Sequence, residues 1–141
     1  MHRRALLLGL GGLGCIGLDG APSPTLGPER VETLAEQVDG HPREALLFVP
    51  AGLSEPAPLV LVVHGSKGSA ETMMTANGWR AALTERGWIG VFPRTGHGAA
   101  REHDGDGDTT FLLRLLDRVA AEVPVDTKRV FATGFSGGAR S

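Results

Sequence analysis

The hydrophobic pattern of the first half of the chain changes from alternating to continuous. Val31–Val38 alternates imperfectly, meets Asp39-Gly40, and is followed by a second apolar stretch, Arg43–Val49. An Asp-Gly pair between two such runs is typical of a β-hairpin. We therefore predict an antiparallel pair of strands at a sheet edge.

Two later runs, Leu59–Val63 and Trp88–Phe92, are apolar at nearly every position. Such runs are typical of strands buried on both faces in a parallel sheet. Between them the sequence predicts one helix, capped by Ser69, running to about Arg86 and stopped by Gly87. Its predicted inner face is Met73, Met74 and Leu83, with Trp79 at the margin.

A second helix is predicted at Phe111–Glu122, after a loop at Pro93–Asp108. Its apolar positions are Leu112, Leu115, Leu116 and Val119. Asp108 or Thr109 would open this helix, and Pro124 and Asp126 would end it. A strand at Val130–Thr133 follows. Alternation of strands and helices predicts an α/β fold with a parallel sheet.

The last strand leads into Gly134-Phe135-Ser136-Gly137-Gly138, which has the Gly-x-Ser-x-Gly pattern of a nucleophile elbow. In such an elbow a sharp turn lifts the serine hydroxyl above the sheet, and glycines avoid Cβ clashes. Ser136 is then the candidate nucleophile, and the amide of Gly137 is one candidate oxyanion donor. The alternative is a small residue in a tight glycine turn.

Several motifs occur together in a recognisable order: Phe48-Val49-Pro50, Leu59–Val63 followed by His64-Gly65, Gly78-Trp79-Arg80, Gly87–Pro93, Val125–Val130 and Gly134–Gly138. From about residue 30 onward the sequence resembles secreted α/β-hydrolases of the polyhydroxybutyrate depolymerase and feruloyl esterase group. The resemblance implies the N-terminal half of an α/β-hydrolase, cut after the elbow. It implies a serine esterase acting on extracellular polyester, acylated polysaccharide or small esters, and a second oxyanion amide at Ser66.

In that fold the triad acid and histidine follow the serine, whereas only five residues follow Ser136 here. We therefore expect the 141 residues alone to be nearly inactive, to fold poorly and to leave an apolar sheet edge exposed. A non-catalytic binding or decoy protein on half a hydrolase fold is the alternative function. A separate polypeptide supplying the acid and base is a third hypothesis.

The other candidate residues have structural interpretations. His64 is expected to hold backbone at the root of the oxyanion loop, and Lys67 to be a solvated loop residue. His97 and His103 are expected on a loop without a catalytic role. Asp104–Asp108 resembles the start of a calcium loop, but it lacks the later glycine and glutamate that such a loop needs.

Composition narrows the function class. With 14 basic and 16 acidic residues the formal charge is −2, so no basic surface for nucleic acid is predicted. Gly9, Gly11 and Gly14 match a dinucleotide fingerprint, but the following Gly- and Pro-rich segment does not support the required helix. We predict no cofactor and no metal. The oligomeric state is not determined by the sequence.

The N-terminus, residues 1–18, has the features of an export signal. Arg3 and Arg4 precede a short apolar run that is too short to span a bilayer. The single cysteine, Cys15, ends this run in a sequence similar to a lipoprotein box, except that Gly12 replaces the usual leucine. Export with or without a lipid anchor at Cys15 is predicted. Residues 19–28 are interpreted as a linker and residues 29–141 as the incomplete hydrolase domain.

Overall fold

The computed structural model describes residues 27–94, 105–136 and 138. The predicted export signal with Cys15, most of the linker, His97, His103 and Asp104 lie outside the described residues, as does Gly137. The elements in chain order are β1 (Arg30–Val38), β2 (His41–Val49), β3 (Ala57–Val63), α1 (Ala70–Met74), α2 (Trp79–Arg86), β4 (Ile89–Arg94), α3 (Gly105–Glu122) and β5 (Val125–Gly134).

The five described strands form one mixed sheet in the order β1-β2-β4-β3-β5. β1 and β2 are antiparallel at one edge, as predicted, and the turn between them has positive φ at Asp39 and Gly40. Positive φ at both central residues is what the favoured two-residue hairpin turn requires. β2 pairs antiparallel with β4, whereas β3 lies parallel between β4 and β5.

Each face of the sheet is covered by its own helical layer. Alternate side chains of β3, including Leu59 and Leu61, pack with α3 on one face. The intervening Val60 and Val62 pack with α1 and α2 on the other face. Because every residue of β3 is buried, the prediction of a strand enclosed on both faces is confirmed.

The prediction of one helix from Ser69 to Arg86 is wrong. Ser69 does cap α1, because its Oγ accepts a hydrogen bond from the amide of Thr72 at 3.1 Å. However, α1 ends at Met74 and α2 begins only at Trp79. Gly78 between them has φ +77°, a left-handed conformation that cannot continue a right-handed helix. Gly87 ends α2 as predicted.

Three predicted boundaries also require correction. β4 includes Pro93 and Arg94, which were predicted as loop. Proline has no amide hydrogen to donate, but the parallel pairing of β4 with β3 ends at Val91, so Pro93 interrupts no hydrogen bond between these two strands. α3 begins at Gly105, so residues 105–108 are helical and do not form a calcium-type loop. β5 begins at Val125, five residues earlier than predicted.

The early start of β5 is irregular. Val125 pairs with Ala57, but the next paired residue, Val130, faces Leu59, so the intervening residues 126–129 form a bulge. Asp126 stabilises this bulge: its Oδ1 accepts from the amide of Lys128 at 3.0 Å, and its Oδ2 accepts from Arg129 Nε at 2.6 Å. A bulge of this kind has no hydrophobic signature, which explains why the sequence pattern missed it.

Within the described residues β5 is the edge strand opposite β1. Val130 and Phe131 are 41% and 47% exposed. An apolar edge at this strand was predicted, and the described sheet has one. The Phe131 ring is partly covered by stacking on Trp88, with ring centroids 5.5 Å apart.

Candidate active site

Ser136 lies directly beyond the carboxyl end of β5 and is exposed. Its φ is +51°, and Asp39 is the only other non-glycine residue with positive φ in the described part of the chain. Left-handed backbone at a residue other than glycine costs about 1–3 kcal/mol and persists only where the surroundings enforce it. The strained turn expected of a nucleophile elbow is therefore present at the serine of the motif.

One hydrogen bond to the end of β3 and one within the elbow hold this turn. The amide of Phe135 donates to the carbonyl of Val63 at 3.1 Å, and the amide of Gly138 donates to the carbonyl of Phe135 at 3.0 Å. A methyl group on the Cα of Gly138 would lie 2.5 Å from the carbonyl oxygen of His64 and 2.7 Å from that of Val63. Only a residue without Cβ fits there.

The loop after β3 lies against the elbow. A methyl group on Gly65 would lie 3.0 Å from the carbonyl oxygen of Phe135 and 3.4 Å from Ser136 Cβ. A hydrogen bond of 2.8 Å from the amide of Gly68 to the carbonyl of Gly65 closes the loop into a turn. Ser66 lies within this turn and is exposed, and it lines the same cavity as Ser136.

His64 is buried at the root of the loop, with 3% of its surface exposed. Its Nδ1 lies 2.7 Å from the carbonyl oxygen of Gly65. Because a carbonyl oxygen can only accept, Nδ1 carries the proton and donates in this bond. His64 thus orders loop backbone, the role expected for it from its position.

The loop and the elbow border a cavity of about 440 Å³, a size typical of small-molecule sites. Its wall comprises Gly65, Ser66, Lys67, Gly68, Thr72, Met73, Asn77, Phe135 and Ser136. The sequence predicted that the loop and the serine would meet. It did not predict Thr72, which lies in α1, or Asn77, which lies in the turn between α1 and α2.

An ion-pair network fixes α1 beside this cavity. Arg94 Nε donates to Glu71 Oε1 at 2.8 Å and Arg94 Nη1 donates to Glu44 Oε2 at 2.6 Å, so α1 is connected to β4 and β2. A hydrogen bond from its own backbone amide, followed by the bond from Arg94, lowers the pKa of the Glu71 carboxyl. The ionised Glu71 is thus paired with Arg94, and this pair connects α1 to the sheet beside the cavity.

Within the described residues, no group of three or more His, Cys, Asp or Glu side chains could hold a metal ion. None of the described helices is both long and apolar enough to cross a membrane.

Solved serine hydrolases share this arrangement of strands and helices, although no family model matches the sequence. The fluorophosphonate-binding serine hydrolase F of Staphylococcus aureus has a TM-score of 0.64 at 20% identity, over 79% of this chain and 49% of that one. A thermostable carboxylesterase from a metagenomic library has a TM-score of 0.65 at 21% identity, over 82% and 40%. The chain has an α/β-hydrolase fold.

Sequence relatives of this chain include esterases. A bifunctional acetylxylan esterase/xylanase of Neocallimastix patriciarum is 30% identical over 100 residues, which are 70% of this chain and 15% of that protein. Poly(3-hydroxyalkanoate) depolymerase C of Paucimonas lemoignei is 28% identical over 102 residues, or 64% and 24%. The chain spans a quarter or less of the length of either relative. The resemblance to polyester depolymerases and esterases of acylated polysaccharide is confirmed.

Proposed function

We propose that the protein hydrolyses carboxylic esters with Ser136 as nucleophile. Ser136 Oγ would attack the ester carbonyl carbon, and the alcohol would leave from the tetrahedral intermediate with the proton given up by the serine. Water would then attack the acyl-serine, release the carboxylic acid and restore the Ser136 hydroxyl. The backbone amides of Ser66 and Gly137 would donate hydrogen bonds to the oxyanion. The observation that carries this proposal is the left-handed, exposed Ser136 at the end of β5, with the loop of β3 against it.

The cavity supports an ester substrate. Its wall offers the thioether of Met73 and the ring of Phe135, which is 69% exposed, alongside the hydroxyl of Ser136. Apolar surface with a few placed polar groups is typical of sites that bind small molecules. Since the named relatives act as acetylxylan esterases or as a poly(3-hydroxyalkanoate) depolymerase, an ester-containing polymer or a small ester is the substrate class that we propose.

A serine hydroxyl needs a base to accept its proton. His64 is a poor candidate, because it is buried and its Nδ1 donates to the Gly65 carbonyl. We assign neither the base nor the acid to any described residue. The expectation that these 141 residues alone hydrolyse esters poorly, and the predictions of export and lipid anchoring, stay predictions.

Turnover of p-nitrophenyl acetate and labelling by a fluorophosphonate probe test the nucleophile directly. The variant Ser136→Ala should abolish labelling and remove whatever turnover the wild type shows. The matched control is Ser54→Ala, which changes an exposed loop serine and should leave both readouts unchanged.

Labelling of Ser136 without turnover would support an activated serine that lacks its proton acceptor. Absence of both labelling and turnover would favour the non-catalytic binding protein. Measurable turnover that is equal in wild type and Ser136→Ala would contradict the proposal.

A further inference from the structure

The cavity next to Ser136 has one charged side chain among its described lining residues. Lys67 carries this charge, and the remaining lining residues are glycine or have neutral side chains. Lys67 lies between Ser66 and Gly68, within the loop that we propose supplies an oxyanion donor. A basic side chain therefore lines the same space as the candidate nucleophile.

Lys67 differs from the arginines that stabilise the fold. Arg80 is paired with Glu29, and Arg94 is paired with Glu44 and Glu71. Lys67, in contrast, makes no hydrogen bond or ion pair with another described residue. Its ammonium group is available to a ligand, and no carboxylate of the described part of the chain has to be displaced first.

The backbone that carries Lys67 is well fixed. The turn from Gly65 to Gly68 is closed by a hydrogen bond of 2.8 Å, and Ser69 directly after it caps α1. On its other side Gly65 is in contact with the elbow. The side chain of Lys67 therefore starts from a closed turn, and it lines the same cavity as Ser136.

We propose that Lys67 is a specificity-determining residue that favours ester substrates bearing a carboxylate; this inference rests on the ester hydrolase function proposed above. A lysine ammonium is a compact charge that pairs with a carboxylate without strict geometry. Because Lys67 is exposed, the pair is screened by water and salt, and the gain in affinity is modest, about threefold to tenfold. The carboxylate could belong to the acyl part or to the alcohol part of the ester.

Equilibrium binding tests this proposal without turnover. In the Ser136→Ala background of the full-length protein, NMR titration gives Kd for monoethyl succinate, with the carboxylate on the acyl part, and for 3-acetoxybutyrate, with the carboxylate on the alcohol part. The primary amide of each compound is the neutral control. We expect at least one carboxylate to bind about threefold to tenfold tighter than its amide, and the compound that shows this preference identifies the source.

Adding Lys67→Gln should bring that ratio to about one, and adding Lys67→Arg should preserve it. The matched control is Lys128→Gln, since Lys128 is the only other lysine of the chain and lies in the bulge of β5; it should leave the ratio unchanged. The proposal would be overturned if the ratio were unchanged by Lys67→Gln, or if Lys128→Gln lowered it equally. It would also be overturned if the ratio were one before any lysine is changed, or if none of the four compounds bound.

The two proposals fail separately. Loss of the esterase function would appear as unchanged turnover in Ser136→Ala with p-nitrophenyl acetate, which bears no carboxylate. Loss of the Lys67 proposal would appear only in the ratio of binding constants.

Discussion

β3 and β5 are parallel neighbours that contribute to the same cavity, yet their surroundings are opposite. All seven residues of β3 are buried between two helical layers, whereas every described position of β5 is at least partly exposed. The loop with Ser66 and Lys67 thus follows the most enclosed strand of the sheet. The strained turn at Ser136 follows a strand with one uncovered edge.

This difference shows where the geometry of the elbow originates. An exposed strand cannot by itself enforce a left-handed serine, which needs its surroundings to compensate for the strain. Those surroundings are the buried end of β3, through the bond from the Phe135 amide to the Val63 carbonyl and the close packing of Gly138. Ser136 is therefore positioned largely by the neighbouring strand.

Of the substitutions that test this contrast between β3 and β5, Gly138→Ala is expected to have the largest effect. The new methyl group would lie 2.5 Å from the His64 carbonyl oxygen, so the elbow would have to move away from β3. A displacement of about 1 Å at a catalytic centre can cost about 100-fold in rate, and we expect a loss of at least that size in kcat/KM for p-nitrophenyl acetate.

Gly27→Ala is the control for this substitution, because a methyl group there would have no atom within 4 Å. Turnover by Gly138→Ala within about twofold of wild type would show that the elbow does not depend on contact with β3.

An intermediate effect is expected from one side-chain change made in both strands. Val62 in β3 is fully buried, and Val130 in β5 is 41% exposed. Val62→Ala should lower the free energy of unfolding by about 2 kcal/mol, from lost burial and a residual cavity. Val130→Ala should lower it by less than about 1 kcal/mol, mostly through strand propensity.

Urea unfolding of both variants measures the difference in their free energies of unfolding. Because both variants lose the same β-branched side chain, this difference reports the burial of the two positions. Equal destabilisation would mean that β5 is as well packed as β3, which would remove the contrast between the two strands.

The sequence predicted β3 more accurately than β5 for the same physical reason. A strand buried on both faces must be apolar throughout, so Leu59–Val63 was recognisable directly. The first residues of β5 pair around a bulge held by Asp126, and polar bulge residues resemble a loop in sequence. The break at Gly78 was missed because the apolar spacing continues into α2.

The same limits apply to the candidate site. A Gly-x-Ser-x-Gly pattern after a strand predicts an elbow, and a loop after the neighbouring parallel strand must lie near it, so Ser66 and Ser136 were expected together. Both line the cavity. Asn77 could not be predicted, because it lies in the unpredicted turn before Gly78, and Thr72 is an ordinary polar residue of α1. Their spacing carries no signal of its own.

The smallest effect, on stability, is expected from changing Asp126 where β5 begins. The Arg129 side chain and then the Lys128 amide lower the pKa of Asp126, so the ionised carboxylate stabilises the folded state. This contribution is complete above the unfolded pKa of about 3.9 and is lost as pH falls through the lower folded value.

Asp126→Asn should therefore reduce Tm slightly at pH 7, and the difference from wild type should shrink as pH is lowered from about 4 toward 2. Thermal melts across this range measure it, with Glu55→Gln, an exposed loop carboxylate, as the control. A difference that grows on acidification would contradict the assignment and leave the bulge of β5 without its electrostatic support.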